Sequence, residues 1–270
     1  KMEHLLFYLQ LLLYTLGATV VCGLVVWGCK SLFVYLMGRG VGYKIVVGTG
    51  IIGTPVHELG HALMCLIFGH HITEICLWQP RSDDGTLGYV NHSYNSRNIY
   101  HIIGNLFIGI GPIFSGMLVL GTCLYFAFPA SLANYTASVT QLLNTSATPL
   151  DMLTAGIKIL PDMIGEFSSA SFPIWGRVIL VIVMLCVSLH INLSPADIKG
   201  ALSAIPLYLI LMLLVAAVCV FLGTGVMHSA LWYVKMINSY MMALFTVVLV
   251  FALLQVAIGL VFWLIRKITR

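Results

Sequence analysis

The chain has 270 residues, of which 60% are hydrophobic and only 8% are Asp, Glu, Lys or Arg, with a mean hydropathy of +1.02; this lies far above the range of a soluble globular domain. The net charge of +4 is spread over loops and ends rather than gathered in a basic stripe, which argues against a nucleic-acid partner. Seven cysteines fall mostly within apolar runs, with no C-x-x-C pair and no regular spacing, and read as small buried hydrophobes.

A membrane-crossing helix needs roughly 20 apolar residues. Segments 5–28, 45–69, 101–128, 173–191, 204–223 and 239–265 meet that criterion. The predicted fold is therefore an all-α polytopic membrane protein with about six transmembrane helices in one membrane-embedded domain, with a core over 45–203 and peripheral helices at 5–28, 204–223 and 239–265. The first apolar stretch, Leu5 to Trp27, is too long for a signal-peptide core and lacks a cleavage-site pattern, so it is expected to be a retained span. After the second span, two β-prone runs, Ile72 to Gln79 and Thr86 to Tyr94, flank "PRSDDG" and predict a β-hairpin near the membrane surface.

Residues 129–172 begin rich in Ser, Thr and Asn, then place Leu150, Leu153, Ile157, Leu160, Ile164 and Phe167 at helical spacing, which predicts an amphipathic helix in the membrane interface. Asn134 and Asn144 fit the glycosylation acceptor pattern, a match that arises readily by chance in such a loop. The C-terminal "RKITR" favours a cytoplasmic end, whereas Lys30, Arg39 and Lys44, read as lying in the first loop, oppose the orientation that six spans then imply.

The second span contains "HELGH". Residues four apart share a helix face, so His57 and His61 present two imidazoles to a single ion, with Glu58 on an adjoining face. Zinc held by two imidazoles and a third ligand keeps an open position for water, and Glu58 suits a general base towards that water. The motif is short, but ionisable groups at bilayer depth cost ~2.5–3.5 kcal/mol each when charged, and so usually mark function.

Two imidazoles leave the site one protein ligand short. Glu3 is terminal, Glu74, Asp83 and Asp84 lie in the hairpin, and Asp151, Asp162 and Glu166 lie in the long polar loop. Asp197, in "HINLSPADIKGA" after the fourth span, is the outstanding candidate; its bland alternative is a cap for the helix that follows. Asn192, Ser194, Pro195 and Gly200 break the apolar run there, as in a broken helix lining a cavity. His190 is the rival third ligand.

"HELGH" in an apolar helix, a following hairpin with "GYV" and a later "NLSPAD" together resemble the site-2 protease family of intramembrane zinc metalloproteases. The resemblance covers roughly residues 45–203. It implies zinc as cofactor, His57, His61 and Asp197 as ligands, Glu58 as the catalytic glutamate and Asn192 as the asparagine of the family's Asn-x-x-Pro motif. The implied substrate is a membrane-spanning segment or signal-peptide remnant, and the implied setting is the lipid bilayer of a prokaryotic cell, with a multi-pass chain. The chain departs from the pattern in having one proline there, Pro195, in following Asp197 with Ile198 rather than Gly, and in lacking an inserted PDZ or CBS domain.

Three further features complete the reading. Asn105, Gly109, Gly111, Pro112 and Gly116 in the third span predict close helix packing and a proline kink, with Asn105 as a donor to a substrate carbonyl or oxyanion. Tyr89, Val90 and Asn91 offer an edge strand to which an extended substrate pairs. His70 and His71 are expected as surface residues, with metal or pH sensing as the alternative. The competing functions are a membrane zincin acting at the surface, which needs a later helical glutamate as third ligand and finds only a poor match in Glu166, and a transporter or scaffold that keeps a metal site without hydrolysis.

Overall fold

The computed structural model describes residues 2–81, 85–143, 149–169 and 171–269. It is almost entirely helical, with one small antiparallel sheet, and five helical stretches are long and apolar enough to cross a membrane. The first stretch runs from α1 (Met2–Leu12) through a π-helical turn at Leu13–Gly17 into α2 (Ala18–Met37). Gly38, at φ 82°, reverses the chain in a single residue, a backbone conformation open to glycine at no steric cost. The helix α3 (Arg39–Ile67) follows at once. Lys30 and Lys44 therefore sit inside helices rather than in the first loop, Arg39 opens α3, and the loop-charge argument about orientation loses its two lysines.

The hairpin comprises β1 (His71–Cys76) and β2 (Tyr89–Ser93), paired Cys76 to Tyr89 and Ile75 to Val90, with a bulge between Ile72 and Glu74. Its expected turn residues 82–84 lie outside the described residues. The next helix, α4 (Ile99–Ala127), is the centre of the molecule. In its most apolar stretch 61% of residues are buried, against 17% for α9 (Pro195–Leu222), so the other helices gather around α4. Ile113, Leu120 and Leu124 of α4 meet Val26, Met184, Val187, Val248 and Phe251 in the main core. Close approach is possible because Gly60 of α3 lies on Gly111 of α4, where an added Cβ at Gly60 would come within 2.7 Å of the Gly111 carbonyl.

Two expectations change in the second half. Residues 173–191 form only a short helix, α8 (Ile174–Ser188), whose 15 residues reach about 22 Å, short of a ~30 Å hydrocarbon core. The backbone is irregular from 189 to 194, and α9 then starts at Pro195 rather than near 204, with Gly200 inside the helix. Ser194 as N-cap and Pro195 in the first turn supply the start signal. The last helix, α10 (Thr224–Ile268), has 45 residues.

The polar loop is also not one amphipathic helix. It folds as α5 (Pro129–Leu143), α6 (Pro149–Ile157) and α7 (Ile159–Glu166), and it buries Ala155, Ile159 and Met163 while Ile157 and Ile164 stay exposed. The predicted face is rotated because α6 packs on α10, with Gly156 against Thr246. The side chains of Leu150 and Leu153, and residue Asn144, lie outside the described residues. Glu166 accepts hydrogen bonds from the Ala130 and Ser131 amides at the start of α5; burial works against its charge, but these donors and the Ser131 hydroxyl outweigh it and hold the carboxyl below its usual pKa. Arg177, fully buried, donates to the carbonyls of Ala127, Phe167 and Ser169 and so ties this segment down.

Replacing Gly60 with Ala forces α3 and α4 apart at their closest point. We expect a loss of about 1–3 kcal/mol in reversible unfolding from detergent micelles; unchanged stability would mean the crossing can relax freely.

Candidate metal centre

His57 and His61 project from one face of α3, and Asp197 from the first turn of α9 faces them. Nε2 of His61 lies 3.2 Å from Nε2 of His57 and 3.1 Å from Oδ1 of Asp197, while Nε2 of His57 lies 3.6 Å from Oδ2. His61 is six residues before the end of α3, or about 9 Å along its axis.

The tautomers follow from the outer partners. Nδ1 of His61 contacts the Ile108 carbonyl at 2.7 Å and Nδ1 of His57 contacts the His190 carbonyl at 2.9 Å. A carbonyl only accepts, so each Nδ1 carries a proton and donates it, and each Nε2 turns its lone pair inward. Ile108 is free to accept because Pro112, four residues on, has no N–H to give it. The His190 carbonyl lies past the end of α8, accepts from the Asn192 amide at 2.9 Å and has a second lone pair for His57.

Asp197 is held by a capping box. The Ser194 amide donates to Oδ2 at 2.7 Å, and the Asp197 amide donates to the Ser194 hydroxyl at 3.1 Å. The capping role and the facing of two imidazoles are thus both filled by one carboxylate. Gly109 of α4 lets this turn approach, since an added Cβ there would come within 2.7 Å of the Asp197 carbonyl.

Three acceptors therefore converge with no donor between them. A single proton relieves one pair; a cation relieves all three. A tetrahedral ion about 2.05 Å from each nitrogen or oxygen would space its ligands about 3.3 Å apart, close to the separations observed. The His-His-Asp group can hold a metal ion. His190 is outside it: its ring nitrogens meet the carbonyls of Cys186 and Val46. Glu166, on α7, is occupied with α5 and also takes no part.

A cavity of about 780 Å³ opens onto the cluster. Glu58, 5% exposed, lines it beneath the loop before β2, where an added Cβ on Gly88 would lie 2.9 Å from the Glu58 side chain. Tyr89, Val90, Asn105 and Asn192 also line it. Asn105 reaches the Ser203 hydroxyl of α9 at 3.5 Å, and Asn192 accepts a hydrogen bond from Lys30 at 2.9 Å. The lining residues that escaped the sequence reading include Lys30, expected in a loop, and Thr54, a buried hydroxyl without a hydrogen-bond partner among the described residues.

His70 is buried rather than on the surface, whereas His71 is exposed. Nε2 of His70 donates to the His101 carbonyl at 2.8 Å, so its Nδ1 accepts from Nδ1 of His92 at 3.0 Å, and Tyr94 stacks on the ring. Burial pushes both His70 and His92 below their ordinary pKa, with like-charge repulsion between neighbouring rings adding to it.

In comparisons with known proteins, the chain matches no family model, no curated protein and no solved structure. Fold and site define its class: a helical protein with helices of membrane-spanning character around a buried metal-capable cluster.

Two outcomes follow from this geometry. Pro112→Ala returns an N–H that competes for the Ile108 carbonyl, and metal affinity by competition with a chelator should fall about 10–100-fold, the usual cost of losing an outer partner. Because His70 and His92 have lowered folded values, the unfolded hairpin takes up protons first as the pH drops. Hairpin stability is full above about pH 6.5 and declines below it. Amide exchange in β1 and β2, corrected for intrinsic rates, should be faster at about pH 5 than at pH 7.5; equal protection at both would contradict the lowering of His70 and His92 by burial.

Proposed function

We propose that the protein is a multi-pass intramembrane zinc metalloendopeptidase, similar to the site-2 protease family, that hydrolyses a peptide bond in or near a membrane-spanning segment or signal-peptide remnant. The observation that carries this reading is the convergence of two imidazole lone pairs and a carboxylate in a cavity that also holds Glu58. Zinc suits the donor set of two neutral imidazoles and one carboxylate, held by His57, His61 and Asp197. When bound, it supplies the Lewis acidity that makes water nucleophilic near neutral pH.

The protein's own groups do the rest. Glu58 takes a proton from the attacking water as its oxygen bonds to the scissile carbonyl carbon, and delivers that proton to the leaving amine nitrogen as the C–N bond breaks. Asn105 donates towards the carbonyl oxygen. A helical segment keeps its amides in internal hydrogen bonds, so it must be unwound before attack. The edge of β2 at Tyr89 and Val90 supports that step, because main-chain pairing with an extended strand replaces the bonds lost. A cavity lined by polar groups supports water entry to a site on an apolar helix.

Glu58 also argues against a site kept only for structure or transport, which has no use for a general base. Purified Glu58→Gln should keep its zinc by elemental analysis while cleavage of a membrane substrate falls at least about 100-fold. Asp197→Ala should lose much of both. Normal zinc content with normal cleavage in Asp197→Ala would remove it as a ligand, and full activity in Glu58→Gln would remove the proteolytic mechanism.

A further inference from the structure

Lys30 is the only lysine or arginine among the described residues that line the cavity. It sits on α2 in "VVWGCKSLFVY", a stretch with no other charged side chain. An ammonium has three donors, and only one acceptor is assigned to it, the neutral amide oxygen of Asn192 at 2.9 Å. The ion pairs among the described residues join Asp197 to His57 and His61 and leave Lys30 without a carboxylate partner. Lys30 is half-buried, and a cation drawn from water on an apolar helix is normally paired, because leaving it unpaired in a low-dielectric setting is costly.

The cavity's own acids do not supply that partner. Among the described residues, Glu58 and Asp197 are the only carboxylates lining it. Asp197 already faces two imidazoles and the Ser194 amide. A divalent cation held by the His-His-Asp group would balance both acids and leave the charge of Lys30 over. Asn192 also belongs to the irregular stretch whose His190 carbonyl orients His57. The ammonium is therefore fixed to the segment that carries the metal site, with spare donors beside the cavity.

We propose that Lys30 is a specificity-determining residue that binds a carboxylate of the substrate, either an acidic side chain near the scissile bond or a free peptide C-terminus. This rests on the proteolytic reading and names the substrate class for it. An apolar segment filling the cavity displaces water from the ammonium, so substrates without the carboxylate leave that charge uncompensated and bind less tightly.

The test uses the full chain, zinc-loaded, as Glu58→Gln to stop turnover, at about pH 7.5, where carboxylates are ionised. The probes are fluorescent Leu/Ala helical peptides of about 20 residues, identical except for one Glu or Gln stepped through the central turns, each with a free or an amidated C-terminus. The expected result is at least about tenfold tighter binding of one carboxylate form, a readily measured ratio. The Glu/Gln and free/amidated arms identify which source supplies the group. Adding Lys30→Met should abolish the preference while zinc content stays unchanged, and Lys30→Arg should retain it.

Equal binding of all four peptide forms by the Lys30 protein, no measurable binding of any, or a preference that survives Lys30→Met would each overturn the assignment. A Lys30→Met enzyme that loses cleavage of Glu and Gln peptides equally, with binding unchanged, would also overturn it, by placing Lys30 in the chemistry instead. Cleavage by the Glu58 enzyme is scored separately. Glu58-dependent cleavage without a carboxylate preference defeats only the Lys30 assignment, whereas a preference without any such cleavage defeats the proteolytic reading.

Discussion

Everything in this structure turns on three acceptors that face one another without a donor. His57 and His61 each spend their one imidazole proton on a backbone carbonyl, and Asp197 is an acceptor by nature, so the space between them calls for positive charge. At surface exposure water would relieve such a cluster. Here His61 and Glu58 are buried, and a bound cation relieves all three acceptors at once where a proton relieves one pair.

The arrangement depends on helix imperfections more than on helix regularity. Pro112 interrupts the hydrogen-bond ladder of α4 and thereby releases the Ile108 carbonyl for His61. The break between α8 and α9 releases the His190 carbonyl for His57 and provides the cap that fixes Asp197. Glycines at 60, 109 and 111 remove the side chains that would hold α3, α4 and α9 apart. Each of these residues weakens a helix locally, and each lies where two helices must meet to assemble the cluster. Among sequences of strongly apolar helices, breaks of this kind point to sites.

Much of the fold was legible because an apolar span and a hairpin are local patterns. The boundaries were not. Lys30 looked like the edge of a loop because a lysine at the end of an apolar run normally snorkels to water, and α2 instead carries it inward to Asn192. The fourth expected span shrank to 15 residues because Ser194 and Pro195 start a new helix early. The amphipathic face of the polar loop was misassigned because its periodicity says how often a side recurs, and packing on α10 decides which side is buried.

Within the site, "HELGH" placed His57, Glu58 and His61 together because i and i+4 share a helix face, a consequence of helical pitch alone. Elimination among so few acids put Asp197 forward, but its capping geometry suited the bland reading equally well. Only the tertiary structure gave that carboxylate both tasks, because α4 and α9 approach at Gly109 and bring a helix start from 136 positions beyond His61 against it. The residue types and their spacing are properties of the chain. The inward tautomers, the released carbonyls and the cavity around Lys30 arise from contacts between segments far apart in sequence, which no local pattern encodes.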